Sequence, residues 1–244
     1  MSTIIDFFSG NFVYLELVLW ICLTFGVWGL LIFITYRIYI KSNEYSIMTD
    51  TISHLGAWTE DRNPKGWYIF SIAMAYLGVM AFPLFMYFFN KISLISPWGA
   101  WIGFVLTLIG NIGIFSMALI PDNEEVPMPF SKKLMYDKVH FPLAVGLFAC
   151  ISLGFLWYGV IIIYDGVFGT KLYNTILLLP PFILLLFVLI MFFYTQIKWQ
   201  KICKVDDTKD PEQGEGIYSF SLWEWIIALS LFLGMAWVLL LIPN

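Results

Sequence analysis

The sequence predicts an all-α fold, a polytopic membrane protein built as a bundle of six transmembrane helices, and three observations lead there. Hydrophobic residues make up 60% of the 244 residues and charged ones only 12%, whereas soluble domains are about 50% apolar at most. Mean hydropathy is +0.83. Six separate apolar stretches reach the ~20 residues that a helix needs to cross a ~30 Å hydrocarbon core, where its backbone groups must be satisfied internally.

In chain order the predicted spans run from Phe12 to Tyr36, Trp67 to Phe89, Trp98 to Ile120, Phe141 to Tyr164, Tyr173 to Tyr194 and Trp223 to Ile242, all within a single domain of residues 1–244. Trp67, Trp98, Tyr164, Tyr173, Tyr194 and Trp223 bound them, as rings at headgroup depth would. No Lys or Arg precedes Arg37, so a cleavable signal peptide is not expected and the first stretch is kept as a span. Pro83 in the second span and Pro180-Pro181 in the fifth remove backbone donors and are expected to bend their helices. Gly99, Gly103, Thr107 and Gly110 put small residues along one face of the third span, a surface for close packing of another helix. Asn111, beside it, is expected to make an interhelical hydrogen bond.

Six spans place the connecting loops alternately on two sides. The loops after spans one, three and five carry Arg37, Lys41, Arg62, Lys65, Lys132, Lys133, Lys138, Lys198, Lys201, Lys204 and Lys209, and the other side has Lys91 and Lys171 alone. The positive-inside rule therefore predicts those three loops in the cytoplasm and both termini outside. The acidic run from Val205 to Gly216 reads as a solvated connector. The net charge of −4 and the lack of a basic block exclude nucleic acid as a partner class. Cys22, Cys150 and Cys203 show no paired spacing, so neither a disulfide framework nor a zinc knuckle is indicated.

The stretch from Asp50 to Trp67 stands out as polar chemistry between two apolar segments. It holds Ser53, His54, a Gly56 suited to a tight turn, Trp58, Arg62 and Lys65. Asp122 closes span three, His140 opens span four and Glu224 opens span six. Alternating spans put all of these at one membrane face, whichever way the chain is inserted. Taken singly, each carboxylate also suits a solvated helix end, and Glu224 suits a helix N-terminus, where the macrodipole favours negative charge.

Three chemistries could use such a group. Ser53 with His54 or His140 as base and Asp122 as orienter would make an intramembrane lipid hydrolase, although no nucleophile-elbow motif accompanies them. His54, Asp122, His140 and Glu224 are the residues that could hold a divalent metal, without the His-x-x-x-His spacing that would mark one. The reading that demands least geometry is recognition: Ser53, His54, Arg62, Asp122, His140 and Glu224 binding a lipid headgroup or a partner loop. Membrane lipids are the expected partners, with a protein partner or a homo-oligomer left open, and no cofactor is expected. Glu16, about four residues into span one on the other face, raises a further alternative, a small-solute or ion transporter.

Ile52-Ser53-His54-Leu55-Gly56 with Pro64, Gly113-Ile114-Phe115 with Ile120-Pro121-Asp122, His140 with Ala144 and Phe148, and Ser221-Leu222-Trp223-Glu224-Trp225 together resemble the DRAM (damage-regulated autophagy modulator) and Sfk-type family of six-span proteins. A related prokaryotic family of uncharacterised membrane proteins shares the pattern. The resemblance implies a six-helix bundle without a prosthetic group and roles connected with lipids, and it touches Ser53, Gly56, His140, Glu224 and Trp225. His54 stands where that family often has Asp. Its members are usually drawn with cytoplasmic N-termini, the reverse of what the lysine distribution predicts here.

Overall fold

A computed structural model describes residues 8–41, 44–48, 50–57, 63–120, 130–205 and 214–242, with residues 130–139 and 141 described in backbone only. Six helices are long and apolar enough to cross a membrane, and no strand occurs among the described residues. They are α1 (Tyr14–Tyr39), α2 (Trp67–Ser93), α3 (Pro97–Met117), α4 (Phe130–Phe168, apolar from Pro142), α5 (Thr175–Cys203) and α6 (Phe220–Leu241).

Local chemistry sets the helix ends. At α1 the Glu16 carboxylate accepts the Val13 N–H at 3.2 Å, and Arg37 lies in the last turn, where the dipole favours a cation. Glu16, raised above as a transport candidate, is thus engaged in closing its own helix terminus. Ser96 caps α3 by accepting the Gly99 N–H at 3.1 Å, and Pro97 follows at the first helical position, where its missing N–H costs nothing. Ser219 caps α6 by accepting from Leu222 N–H at 3.2 Å. In α5 the ladder breaks at Leu179, ahead of Pro180-Pro181, with Asn174 capping the single turn before it.

Two helices outrun their predicted spans by more than two turns. α4 starts at Phe130 rather than Phe141, and α5 runs to Cys203 rather than Tyr194. Charge near Lys132, Lys133, Lys198 and Lys201 ends the hydrophobic signal without ending the helix, because Lys is a good helix former in water. His140 consequently sits inside a helix rather than opening one. α3, by contrast, ends at Met117, and Ala118–Ile120 form a turn.

The tightest packing joins α3 to its neighbours α2 and α4. The small-residue stripe of α3 faces α4: a Cβ on Gly103 would lie 2.2 Å from the Tyr158 ring, and one on Gly110 would lie 2.3 Å from Ile151 Cγ1 and 2.9 Å from the Leu147 carbonyl. Asn111 makes the expected interhelical bond, donating to the Gly78 carbonyl of α2 at 2.8 Å. In α2 the Met80 carbonyl accepts from Trp20 Nε1 at 2.9 Å and Thr24 Oγ1 at 3.3 Å of α1, which ties the two helices together. Phe88 stacks on Tyr158, and Phe155 meets Phe182 in a tilted contact with ring centroids 4.6 Å apart.

On the face opposite the long first loop, Asp165 at the end of α4 is only 2% exposed. Its oxygens accept from the Thr170 and Leu172 N–H groups at 2.9 and 2.7 Å and from the Thr170 hydroxyl at 3.1 Å. The buried carboxylate therefore ties the α4–α5 loop to α4.

Candidate functional site

The first loop folds down onto the ends of α2 and α6. Within it, Asp50 accepts the Ser46 N–H at 2.8 Å while its own N–H reaches the Ser46 carbonyl at 2.7 Å, closing a tight turn. The second Asp50 oxygen lies 3.2 Å from His54 Nδ1. Ser53–Gly56 then form one 3₁₀ turn, in which the Thr51 and Ser53 hydroxyls are 2.7 Å apart. Gly56 is required there by space: a Cβ would lie 2.3 Å from the Phe70 ring of α2.

Three latches hold this loop to the helices. Asn63, 1% exposed, donates its amide to the Leu55 carbonyl at 2.7 Å and its backbone N–H to that of Ala57 at 3.1 Å, and its carbonyl accepts from Gly66 and Trp67 at the start of α2. The buried Glu224 of α6 accepts the Ile52 N–H at 2.9 Å. The Ser219 hydroxyl donates to the Met48 carbonyl. Between the latches sits Tyr45, whose hydroxyl accepts from Trp225 Nε1 at 3.0 Å and faces the Asp50 and Thr51 carbonyls at 3.1 Å each. Burial pushes the Tyr45 pKa well above the ordinary phenol range; the Trp225 bond opposes that, and the charges of Glu224 and Asp50 add to it. The hydroxyl therefore stays protonated and serves as a donor to the loop backbone.

Of the residues picked from sequence, Ser53, His54 and Glu224 come together in this loop–α6 unit. His140 is placed differently. It is 7% exposed, with Nδ1 bonded to the Ile120 carbonyl at 2.7 Å and a buried Nε2 that has no hydrogen-bond partner among the described residues. Arg62 and Asp122 lie outside the described residues. Among the described residues no three His, Cys, Asp or Glu side chains converge as a metal shell would require. The pairings shown by the candidate triad are Ser53 with Thr51 and His54 with Asp50. Sequence reasoning missed Asp50, Tyr45 and Asn63. The Asp50 and His54 spacing of four was the one local signal, since a turn brings such residues together.

Beside the latched loop a cavity of about 590 Å³ opens between α1 and α6. Its floor is an aromatic contact in which Phe232 meets Phe25 and Trp28, with ring centroids at 5.4 and 4.7 Å. Toward the loop the helices part. Gly29, Phe33 and Tyr36 form one wall and Ala228 and Leu229 the other, and Tyr45 and Leu55 form the roof. The walls are apolar and span about 10 Å of helix between Gly29 and Tyr36 at ~1.5 Å per residue. A Cβ on Gly29 would meet nothing within 4 Å. The size falls within the ~300–1,000 Å³ of small-molecule sites.

Comparison with curated proteins and with solved structures finds no match. A family model does match, over residues 26–242, a range that includes the latched loop, Glu224 and both walls of the cavity. The chain belongs to the family described as "Protein of unknown function (DUF998)".

Proposed function

We propose that this integral membrane protein binds a membrane lipid, with an acyl chain between α1 and α6 and the headgroup at the first loop. The observation that carries the reading is the cavity itself: apolar walls on two helices long and apolar enough to cross a membrane, ending under a polar loop that is hydrogen-bonded in place. Hydrocarbon is the medium outside the seam, so an acyl chain enters without desolvating polar groups. Tyr45 and Trp225, apolar in body and polar at one end, suit the boundary between chain and headgroup. The lipid-related roles implied by the resemblance to DRAM and Sfk-type proteins agree with it. The distribution of Lys and Arg supports a cytoplasmic location for this face, and the six helices are read as a single domain.

Gly29→Phe tests the proposal. The new ring projects into open cavity space and replaces a poor helix former, so the fold is retained while the chain site is filled. Lipid retained by the purified protein, measured by native mass spectrometry, is expected to fall about tenfold. Gly26→Phe also meets open space but does not line the cavity, and is expected to retain lipid as the natural chain does. Equal retention in both variants would remove the reading.

A further inference from the structure

We infer that the α1–α6 site prefers an uncharged ester lipid, a mono- or diacylglycerol, whose ester carbonyls accept hydrogen bonds from the Tyr36 and Ser46 hydroxyls. The inference rests on the lipid-binding reading above. Gly29, Ile32, Phe33 and Tyr36 all line the cavity, and offsets of three, four and seven from Gly29 set them on one face of α1. Tyr36 is the member nearest the loop, and its ring meets the Tyr45 ring edge-on, with centroids 5.7 Å apart. Ser46, next to Tyr45 in the chain, lines the same cavity.

Donors outnumber acceptors at this end of the cavity. Tyr45 and Trp225 are engaged in the latch: Trp225 Nε1 donates to the Tyr45 hydroxyl, which faces the Asp50 and Thr51 carbonyls. The Tyr36 hydroxyl makes no hydrogen bond among the described residues. Ser46 Oγ accepts the Met48 N–H at 3.2 Å, and its own proton has no acceptor among them. Two lining residues thus carry O–H donors that lack acceptors, and an ester carbonyl is an acceptor without a charge. Among the described residues that line the cavity none is charged. An anionic headgroup drawn to this end would leave water with no lining cation to receive it. Burial chiefly raises the Tyr45 pKa, and the charges of Glu224 and Asp50 add to the rise; the same charges repel an anion. A glycerol hydroxyl carries no such penalty. A phospholipid with the same chains enters the site too, less tightly.

The test uses the full chain in detergent micelles with diacylglycerol, its dialkyl ether analogue and phosphatidate, all of identical chains, bound lipid being counted by native mass spectrometry. Diacylglycerol is expected to bind about tenfold more tightly than phosphatidate, for the charge, and about tenfold more tightly than the ether, for the carbonyls. Tyr36→Phe with Ser46→Ala is expected to bring diacylglycerol down to the level of the ether, whose own binding stays unchanged. Tyr36→Phe alone removes no hydrogen bond of the fold and is expected to weaken diacylglycerol about fivefold. Tyr68→Phe, a phenol on α2 outside the cavity wall, is expected to change nothing. Diacylglycerol binding no tighter than either analogue, a preference over the ether that survives the double variant, or an equal loss in Tyr68→Phe would overturn the inference. If the three lipids bind equally and Gly29→Phe weakens them all, the chain site stands and only this inference fails. If none binds, or Gly29→Phe leaves all three unaffected, the chain site itself falls and the inference with it.

Discussion

Glu224→Ala is expected to lower the stability of the folded protein by about 2–3 kcal/mol, since a charge-assisted bond to the Ile52 N–H is lost and that donor is left buried without its acceptor. Thermal unfolding in detergent micelles measures it. Glu224→Gln keeps an acceptor of the same shape and is expected to lose roughly half as much. The loss should be accompanied by release of the first loop, read as faster amide exchange at Ile52 and Leu55, with α2 and α3 unaffected. An alanine variant as stable as the natural chain would mean that the loop is held by its other latches alone.

Gly110→Leu is expected to cost about 3 kcal/mol or to prevent folding, because the added side chain has to displace Ile151 and the Leu147 backbone carbonyl of α4. Rigid backbone cannot yield as a side-chain tip can. The matched control is Gly26→Leu, where nothing lies within 4 Å of the new Cβ. There the gain in helix propensity leaves stability unchanged or raised by up to about 1 kcal/mol. Folded yield and unfolding temperature of the two variants separate close packing along the α3 stripe from a general intolerance of bulk.

The six spans were legible because crossing a membrane demands a length of apolar sequence that little else produces, and the packing face of α3 because small residues recur at helical spacing. Asn111 was legible for a related reason: an amide between apolar helices has few ways to be satisfied other than across to a neighbour. The charged extensions of α4 and α5 were not, since leaving the membrane and leaving the helix are different events and hydropathy reports the first. The Ile52–Glu224 bond joins residues 172 apart in sequence and uses a backbone donor, which carries no residue signature. Asp165 went unnoticed because its partners are mostly backbone N–H groups of the following loop. The cavity is space left between α1 and α6, and no residue pattern read from the sequence pointed to it.

Of the candidate reagents in the first loop, Ser53 pairs with the Thr51 hydroxyl and His54 with Asp50, while the bonds that pin the loop run to backbone: Asp50 to Ser46, Glu224 of α6 to Ile52, Asn63 to Leu55. That pattern fixes a loop in place. It assigns the polar face the task of roofing an apolar site, with Tyr45 and Trp225 shared between latch and cavity wall.

The most direct measurement of a lipid chain between α1 and α6 is photo-crosslinking in proteoliposomes with a phospholipid carrying a photoactivatable group midway along one chain, followed by mapping of the modified residues. Adducts concentrated on Phe33 of α1 and on Leu229 and Phe232 of α6 are predicted. Adducts spread evenly over outward apolar residues, such as Ile183 and Phe187 of α5, with none enriched at the seam, would contradict it.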